Sequence, residues 1–383
     1  MPSPRRRFLA SAAAAASVPV ALAGCLDSRP TWLDRRIRWR AKLDDHPDST
    51  VGDGGNPISS VRVFDGLVLD GTHEGQLTAF SADDGEVEWV AMTNTWSTPA
   101  RLDDLIVVGA RWQRAGVEAL ELATGERHWF HEVDDPEVRS SPAIEGDRIV
   151  ITRRHGVLRL DTDGEERWFL EKTTGETEEL GEDGTRYSSG GSPIVANGVS
   201  YQKYSRGSGF SAVDVASGEL LWETETRRQE GGHSLKSRPT VDDRHVYFGV
   251  GDGTLYALDR ETGETAWTYD TRAMTSDPAL GDGAVYAVDD EVHDSELTAR
   301  LHAVSTDGEN LWETAVPGAT NFDSPVFQDG TIYLGCSTVY AVDAETGEIE
   351  WEYEPDGGGM AAPAVADETV YAAAGDYVYA LSA

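Results

Sequence analysis

The sequence predicts an all-β chain folded as an eight-bladed β-propeller of four-stranded antiparallel blades, closed by its N-terminal strand. Three observations predict it. A tail made of a strand, an acidic turn with T-G or D-G, and then Glu and Trp recurs at Trp89, Trp129, Trp168, Trp222, Trp267, Trp312 and Trp351. The spacings are 40, 39, 54, 45, 45 and 39 residues, which suits a unit of about four strand-sized pieces. Strands such as "TLYALD" are apolar at both parities, with Leu255 and Ala257 on one face and Tyr256 and Leu258 on the other. A strand covered on both sides belongs between two neighbouring sheets.

Each unit opens with a head: a small residue, Pro, an apolar pair, an Asp/Asn/Gly turn and a β-rich run. "SSPAIEGDRIVI", "GSPIVANGVSYQ" and "SDPALGDGAVYA" are examples, and the prolines are Pro99, Pro142, Pro193, Pro239, Pro278, Pro325 and Pro363. An eighth head, "SSVRVFDGLVLD", has Val61 where Pro would stand. The head supplies two strands around its turn. The run before T-G is the third strand and the run into Trp the fourth. The D-x-x-T-G-E hairpins suit a type I turn with glycine in the left-handed position. A tryptophan near the end of each blade can bridge to the next and bury about 150–250 Å². The last unit, from Met360 to Ala383, has no such tail. The missing strand is "RRIRWRAKL" at the other end, with Trp39 as the eighth clasp, so the ring closes and no open edge remains.

The tails match the A-x-D-x-x-T-G-x-x-x-W motif of pyrroloquinoline-quinone (PQQ) propeller repeats. Ala257, Asp259, Thr262, Gly263 and Trp267 fit fully, as do Ala341, Asp343, Thr346, Gly347 and Trp351. The chain thus resembles the PQQ-like repeat proteins over roughly residues 36–383. Two kinds of protein share these repeats: quinoprotein alcohol dehydrogenases and the outer-membrane β-barrel assembly lipoprotein B family. The second is a lipid-anchored, non-catalytic propeller that binds proteins. This chain is similar to it in length and in being little more than a propeller.

Residues 1–25 read as a targeting segment. "RRRFLA" resembles a twin-arginine export signal, an alanine-rich stretch follows, and "LAGC" looks like a lipobox ending at Cys25. The resemblance implies cleavage before Cys25 and lipid on its thiol. A short tether, 26–35, then leads to the propeller domain, 36–383. The other cysteine, Cys336, reads as a buried small hydrophobe.

The 383 residues carry a net charge of −36. Residues 1–40 hold eight arginines and two acids, which leaves 24 basic and 66 acidic residues in the remainder. Such a surface repels nucleic-acid phosphates, so no DNA or RNA partner is expected. Only four basic residues are lysine. Many acids, few lysines and abundant arginine resemble proteins of salt-loving archaea, whose medium screens like charges.

Catalytic candidates are sparse. "DDEVHDSE", Asp289 to Glu296, reads as a solvated acidic loop. "GVGDGT", Gly249 to Thr254, lies between two strands and reads as a hairpin turn, because the helix N-terminus that holds phosphate is missing. The dehydrogenases have two adjacent cysteines above the quinone, and this chain has none. Residues just before the prolines (Thr98, Ser141, Ser192, Arg238, Asp277, Ser324, Ala362) are expected at the mouth of the central channel, a poor set for hydride or proton transfer. Contacts with a partner are expected in loops, from Arg111, Trp112 and Arg114 in "GARWQRAG" and from Tyr204 and Arg206 in "YSRGSGF". The sequence thus predicts a monomeric, lipid-anchored, extracytoplasmic scaffold for an unidentified protein, without cofactor, metal or catalysis. The alternative is a PQQ- or metal-dependent oxidoreductase.

Overall fold

The computed structural model describes residues 36–43 and 60–383, except 72–74, 94, 96, 111–114, 135–137, 139, 154–155, 172–190, 204–208, 226–236, 251–252, 272–275, 294–295, 318–323 and 357–361. Its strands form eight separate four-stranded sheets. Seven are consecutive in the chain: blade 1 (62–92), blade 2 (100–132), blade 3 (143–171), blade 4 (194–225), blade 5 (240–270), blade 6 (279–316) and blade 7 (326–353). Blade 8 joins the last three strands, Ala364–Ala366, Thr369–Ala374 and Tyr377–Ser382, to the first strand of the chain, Ile37–Lys42. Trp39 lies opposite Ala380 and Arg40 opposite Tyr379. The N-terminal strand is therefore the fourth strand of the last blade, as the truncated repeat requires. First strands of neighbouring blades touch from blade 2 round to blade 8, and blade 8 touches blade 1, so the sheets form a ring.

The core sits between blades. In "TLYALD", Leu255 and Ala257 pack with Val285, Ala287 and Val304 of blade 6, while Tyr256 and Leu258 pack with Tyr201, Phe210 and Ala212 of blade 4. Both parities are buried because each face meets a different neighbour.

The tail motif has a physical reason at each position. The alanine of A-x-D pairs opposite the tryptophan across the third and fourth strands, as in Ala257↔Trp267 and Ala341↔Trp351, and a bulge follows it at once. A larger side chain there would crowd the indole. Asp259 Oδ1 accepts from the Thr262 amide (2.9 Å) and hydroxyl (2.9 Å), and Asp343 does the same with Thr346 (2.7 and 2.7 Å). These bonds hold the Asp259 and Asp343 carboxyls below their usual pKa. In blades 1, 5 and 7 the two turns lie at one end and are tied together: Ala82 N donates to Gly66 O (2.8 Å), Arg260 N to Arg244 O (2.9 Å) and Ala344 N to Gly330 O (2.9 Å).

Two local expectations meet different outcomes. Val250 ends one strand and Thr254, opposite it, begins the next, so the stretch is a hairpin connection as read from the sequence. "DDEVHDSE" is not a free acidic loop: Asp289 to His293 continue one strand of blade 6 and Glu296 begins the next, with His293 opposite Glu296. Asp289 is buried there. A run of carboxylates reads as solvated in sequence, and only the pairing of strands shows that one of them turns inward.

Candidate functional site

Three places could carry function: the clasps between blades, the channel mouth, and the end of the ring to which the candidate loops belong. The clasps are geometrically uniform. The tryptophan of one blade lies on the turn glycine of the next: Trp39 on Gly85, Trp89 on Gly125, Trp129 on Gly164, Trp168 on Gly218, Trp222 on Gly263, Trp267 on Gly308 and Trp312 on Gly347. A methyl group placed on Gly263 would stand 2.5 Å from the Trp222 ring. Each indole N–H also donates to a carbonyl of the next turn, for example Trp39 to Ala82 O (2.8 Å), Trp89 to Leu122 O (2.9 Å) and Trp222 to Arg260 O (3.0 Å). Trp351 differs. Blade 8 has no such turn beneath it, and the Arg36 guanidinium covers its ring at 4.7 Å from the centroid instead.

At the channel mouth, the serines of the heads are structural, a role the sequence reading missed. The first serine locks the first strand onto the second within a blade: Ser97 Oγ accepts from Gly109 N (2.7 Å) and Ser140 Oγ from Thr152 N (3.0 Å). The residue just before proline reaches across blades. Thr98 N donates to Ser141 Oγ (2.9 Å), and Ser141 N to Ser192 Oγ (2.8 Å). A second arc runs from Arg238 N to Asp277 Oδ1 and from Asp277 N to Ser324 Oγ (3.2 Å). The legible signal was the repeated S-S-P or S-x-P, because a hydroxyl at one fixed place in each blade can bond only to the same place in the next.

The structure also reveals a buried polar chain between blades 5 and 6. His302 Nε2 lies 3.0 Å from Asp289 Oδ2, and His302 Nδ1 lies 3.3 Å from the Tyr269 hydroxyl. Asn310 Nδ2 donates to that hydroxyl (2.7 Å), and Arg300 N to Asp289 Oδ1 (3.2 Å). The parts resemble a catalytic relay, but the His302 and Asp289 side chains are 5% and 1% exposed. At that burial the chain serves to join blade to blade. Burial, with the Glu313 charge beside it, pushes the Tyr269 hydroxyl pKa up. Cys336 is buried as expected.

The remaining candidates fall elsewhere. Cys25, Arg111, Trp112, Arg114, Tyr204 and Arg206 lie outside the described residues. The strands flanking the two loops end at Ala110, Gly116, Lys203 and Gly209, at the end of the blades opposite the glycine turns. The first strands also begin at that end, so the channel mouth and the two loop positions share one face of the ring.

The repeat model described as outer membrane protein assembly factor BamB matches residues 27–201, 93–300, 209–337 and 298–383, nearly the whole chain. The chain belongs to this family. BamB of Yersinia pestis is 27% identical over 234 residues, 56% of each chain. The dehydrogenase subunit of the quinone-type alcohol dehydrogenase of Gluconacetobacter polyoxogenes is 27% identical over 192 residues, 49% of this chain and 21% of that one. The chain therefore spans about half of the one relative and a fifth of the other. The crystal structure of BamB from Moraxella catarrhalis superposes with a TM-score of 0.65 at 18% identity, covering 90% of this chain and 96% of that one. That likeness concerns the fold. The BamB-like fold suits a scaffold, and the dehydrogenase relatives share the same repeats.

Proposed function

We propose that this protein is a non-catalytic, lipid-anchored scaffold of the cell envelope that holds a partner protein at the channel-mouth face of the ring. The observation that carries this reading is how the mouth is used. Thr98, Ser141, Ser192, Asp277 and Ser324 are tied into hydrogen bonds between blades. The place where a ring of repeats would gather catalytic groups is a structural collar. Family membership supports the same reading, since the relative of Yersinia pestis is named for membrane-protein assembly. The lipobox at Cys25 supplies the anchor, and the two Arg-aromatic loops supply the contacts.

The dehydrogenase relatives favour a second reading, a quinone-dependent oxidoreductase. Calcium beside a quinone takes about six to eight oxygens. Among the described collar residues Asp277 is the one carboxylate, and its Oδ1 is bonded to the Arg238 amide. The described residues do not fit that cofactor. Purified protein incubated with PQQ and Ca²⁺ and then dialysed is expected to retain no quinone absorbance and to reduce no dye with alcohol. Stoichiometric retention with turnover would overthrow the scaffold. Cross-linking of solubilised membranes at high salt, with and without Trp112→Ala and Tyr204→Ala, identifies the partner and the face it uses.

A further inference from the structure

The collar bonds fall into two arcs, Thr98 to Ser192 and Arg238 to Ser324, and the gap between Ser192 and Arg238 is chemically one-sided. Within each arc, the backbone N–H before proline donates to a side-chain oxygen of the next blade. Ser192 of blade 4 should donate to residue 238 of blade 5. Residue 238 is arginine, which has no acceptor. The Ser192 N–H accordingly has no partner among the described residues, and Ser192 Oγ is already occupied by Ser141 N. Arg238 turns back along the wall, and its Nε donates to Pro193 O (3.1 Å). Its two terminal nitrogens make no hydrogen bond to a described residue. The side chain keeps a modest exposed area yet is enclosed by protein on most sides. Burial pulls its pKa below the usual guanidinium value, and the Asp277 charge opposes that pull. Asp277 forms no ion pair with the guanidinium within 4 Å; its Oδ1 binds the Arg238 amide. Where the second arc ends, at Ser324, the next residue is Ala362, which brings no charge.

We propose that the junction of Ser192 and Arg238 is a binding site for one small anion of carboxylate or halide type, held in the channel mouth. The anion takes the place of the missing side-chain oxygen: it accepts from the Ser192 N–H and from the terminal guanidinium nitrogens. A guanidinium offers a fork of donors that suits a carboxylate bidentately, and a desolvated cation with spare donors gains most from such a partner. The site is selective by confinement, because the surface elsewhere is strongly anionic and repels anions. This inference stands apart from the scaffold reading and survives its failure.

The test is chloride-35 NMR line broadening on the full chain, with sodium acetate as competitor at constant ionic strength. Arg238→Ser restores an acceptor oxygen and a short side chain, so it repairs the collar while removing the cation. Arg244→Ser, at an exposed arginine of the opposite end, is the control. Wild type and Arg244→Ser are expected to broaden the chloride line several-fold more than Arg238→Ser. Arg238→Ser should melt no more than a few degrees from wild type. Loss of broadening with acetate assigns the carboxylate as the preferred ligand; persistence assigns the halide. Equal broadening in wild type and Arg238→Ser, or none in wild type with chloride and no acetate-dependent rise in its melting temperature, overturns the proposal.

Discussion

Replacing two glycines with alanine separates backbone strain from the clasp between blades. Gly263 has φ of +73° and Gly283 has φ of +77°, so alanine at either must adopt the left-handed region. That costs about 1–2 kcal/mol. Around Gly283 nothing lies within 4 Å of the added methyl, so strain is its whole cost. At Gly263 the methyl would meet Trp222 Cε3 at 2.5 Å and Cδ2 at 2.6 Å. The backbone turn is held by Gly263 N to Asp259 O (2.8 Å) and by the Thr224 hydroxyl on Gly263 O (2.5 Å), so the indole must give way. Trp222 is 8% exposed. Complete loss of such a side chain costs about 3–5 kcal/mol, and its indole bond to Arg260 O adds about 1 kcal/mol. Partial ejection then adds about 2–3 kcal/mol to the strain, for a total of about 3–5 kcal/mol. Gly263→Ala and Gly283→Ala should be compared by guanidinium unfolding in 1 M KCl, followed by tryptophan fluorescence. Gly263→Ala is expected to lose at least twice as much stability and to red-shift the native emission. Equal losses with unchanged native spectra would refute the clasp as a source of stability.

Other outcomes follow from burial, charge and the N-terminal motif. Asp70 is fully buried, and neither carboxylate oxygen has a well-formed hydrogen bond, although the neighbouring Gly71 amide eases the charge slightly; burial raises its pKa well above the usual value. Its contribution is therefore fully present below the unfolded pKa near 3.8 and is lost as pH rises toward the raised folded value. Asp70→Val, the residue type blade 2 carries at Val108, should stabilise by about 1–3 kcal/mol at pH 4 and by more at pH 7, as read from urea midpoints; a gain independent of pH would contradict this. Lowering KCl from 1 M to 0.1 M lengthens the screening distance from about 3 Å to about 10 Å and should lower the melting temperature; a flat response would count against the salt-loving reading. Cys25→Ser should release the protein from the membrane fraction or block its processing, and an unchanged fraction with unchanged mass would remove the lipid anchor.

The sequence by itself determined the ring. Blade number, strand order and closure by Trp39 were legible because one unit was written repeatedly, and a repeat that buries both faces has few ways to stack. The roles of alanine, aspartate, threonine, glycine and tryptophan in the tail are local and therefore also readable. Only the tertiary structure decided what the pre-proline serines do, since their partners lie 43 and 51 residues away in the next blade. It alone turned Asp289 inward to His302, and it alone showed that Trp351 rests under Arg36 rather than on a glycine turn. Arg238 is the sharpest case. In sequence it is one more arginine before a proline. In the ring it stands where its neighbours offer an oxygen, and the mismatch is visible only when the blades are set side by side. Hydrogen-bond satisfaction is a property of the assembled neighbourhood, and no single repeat contains its own neighbour.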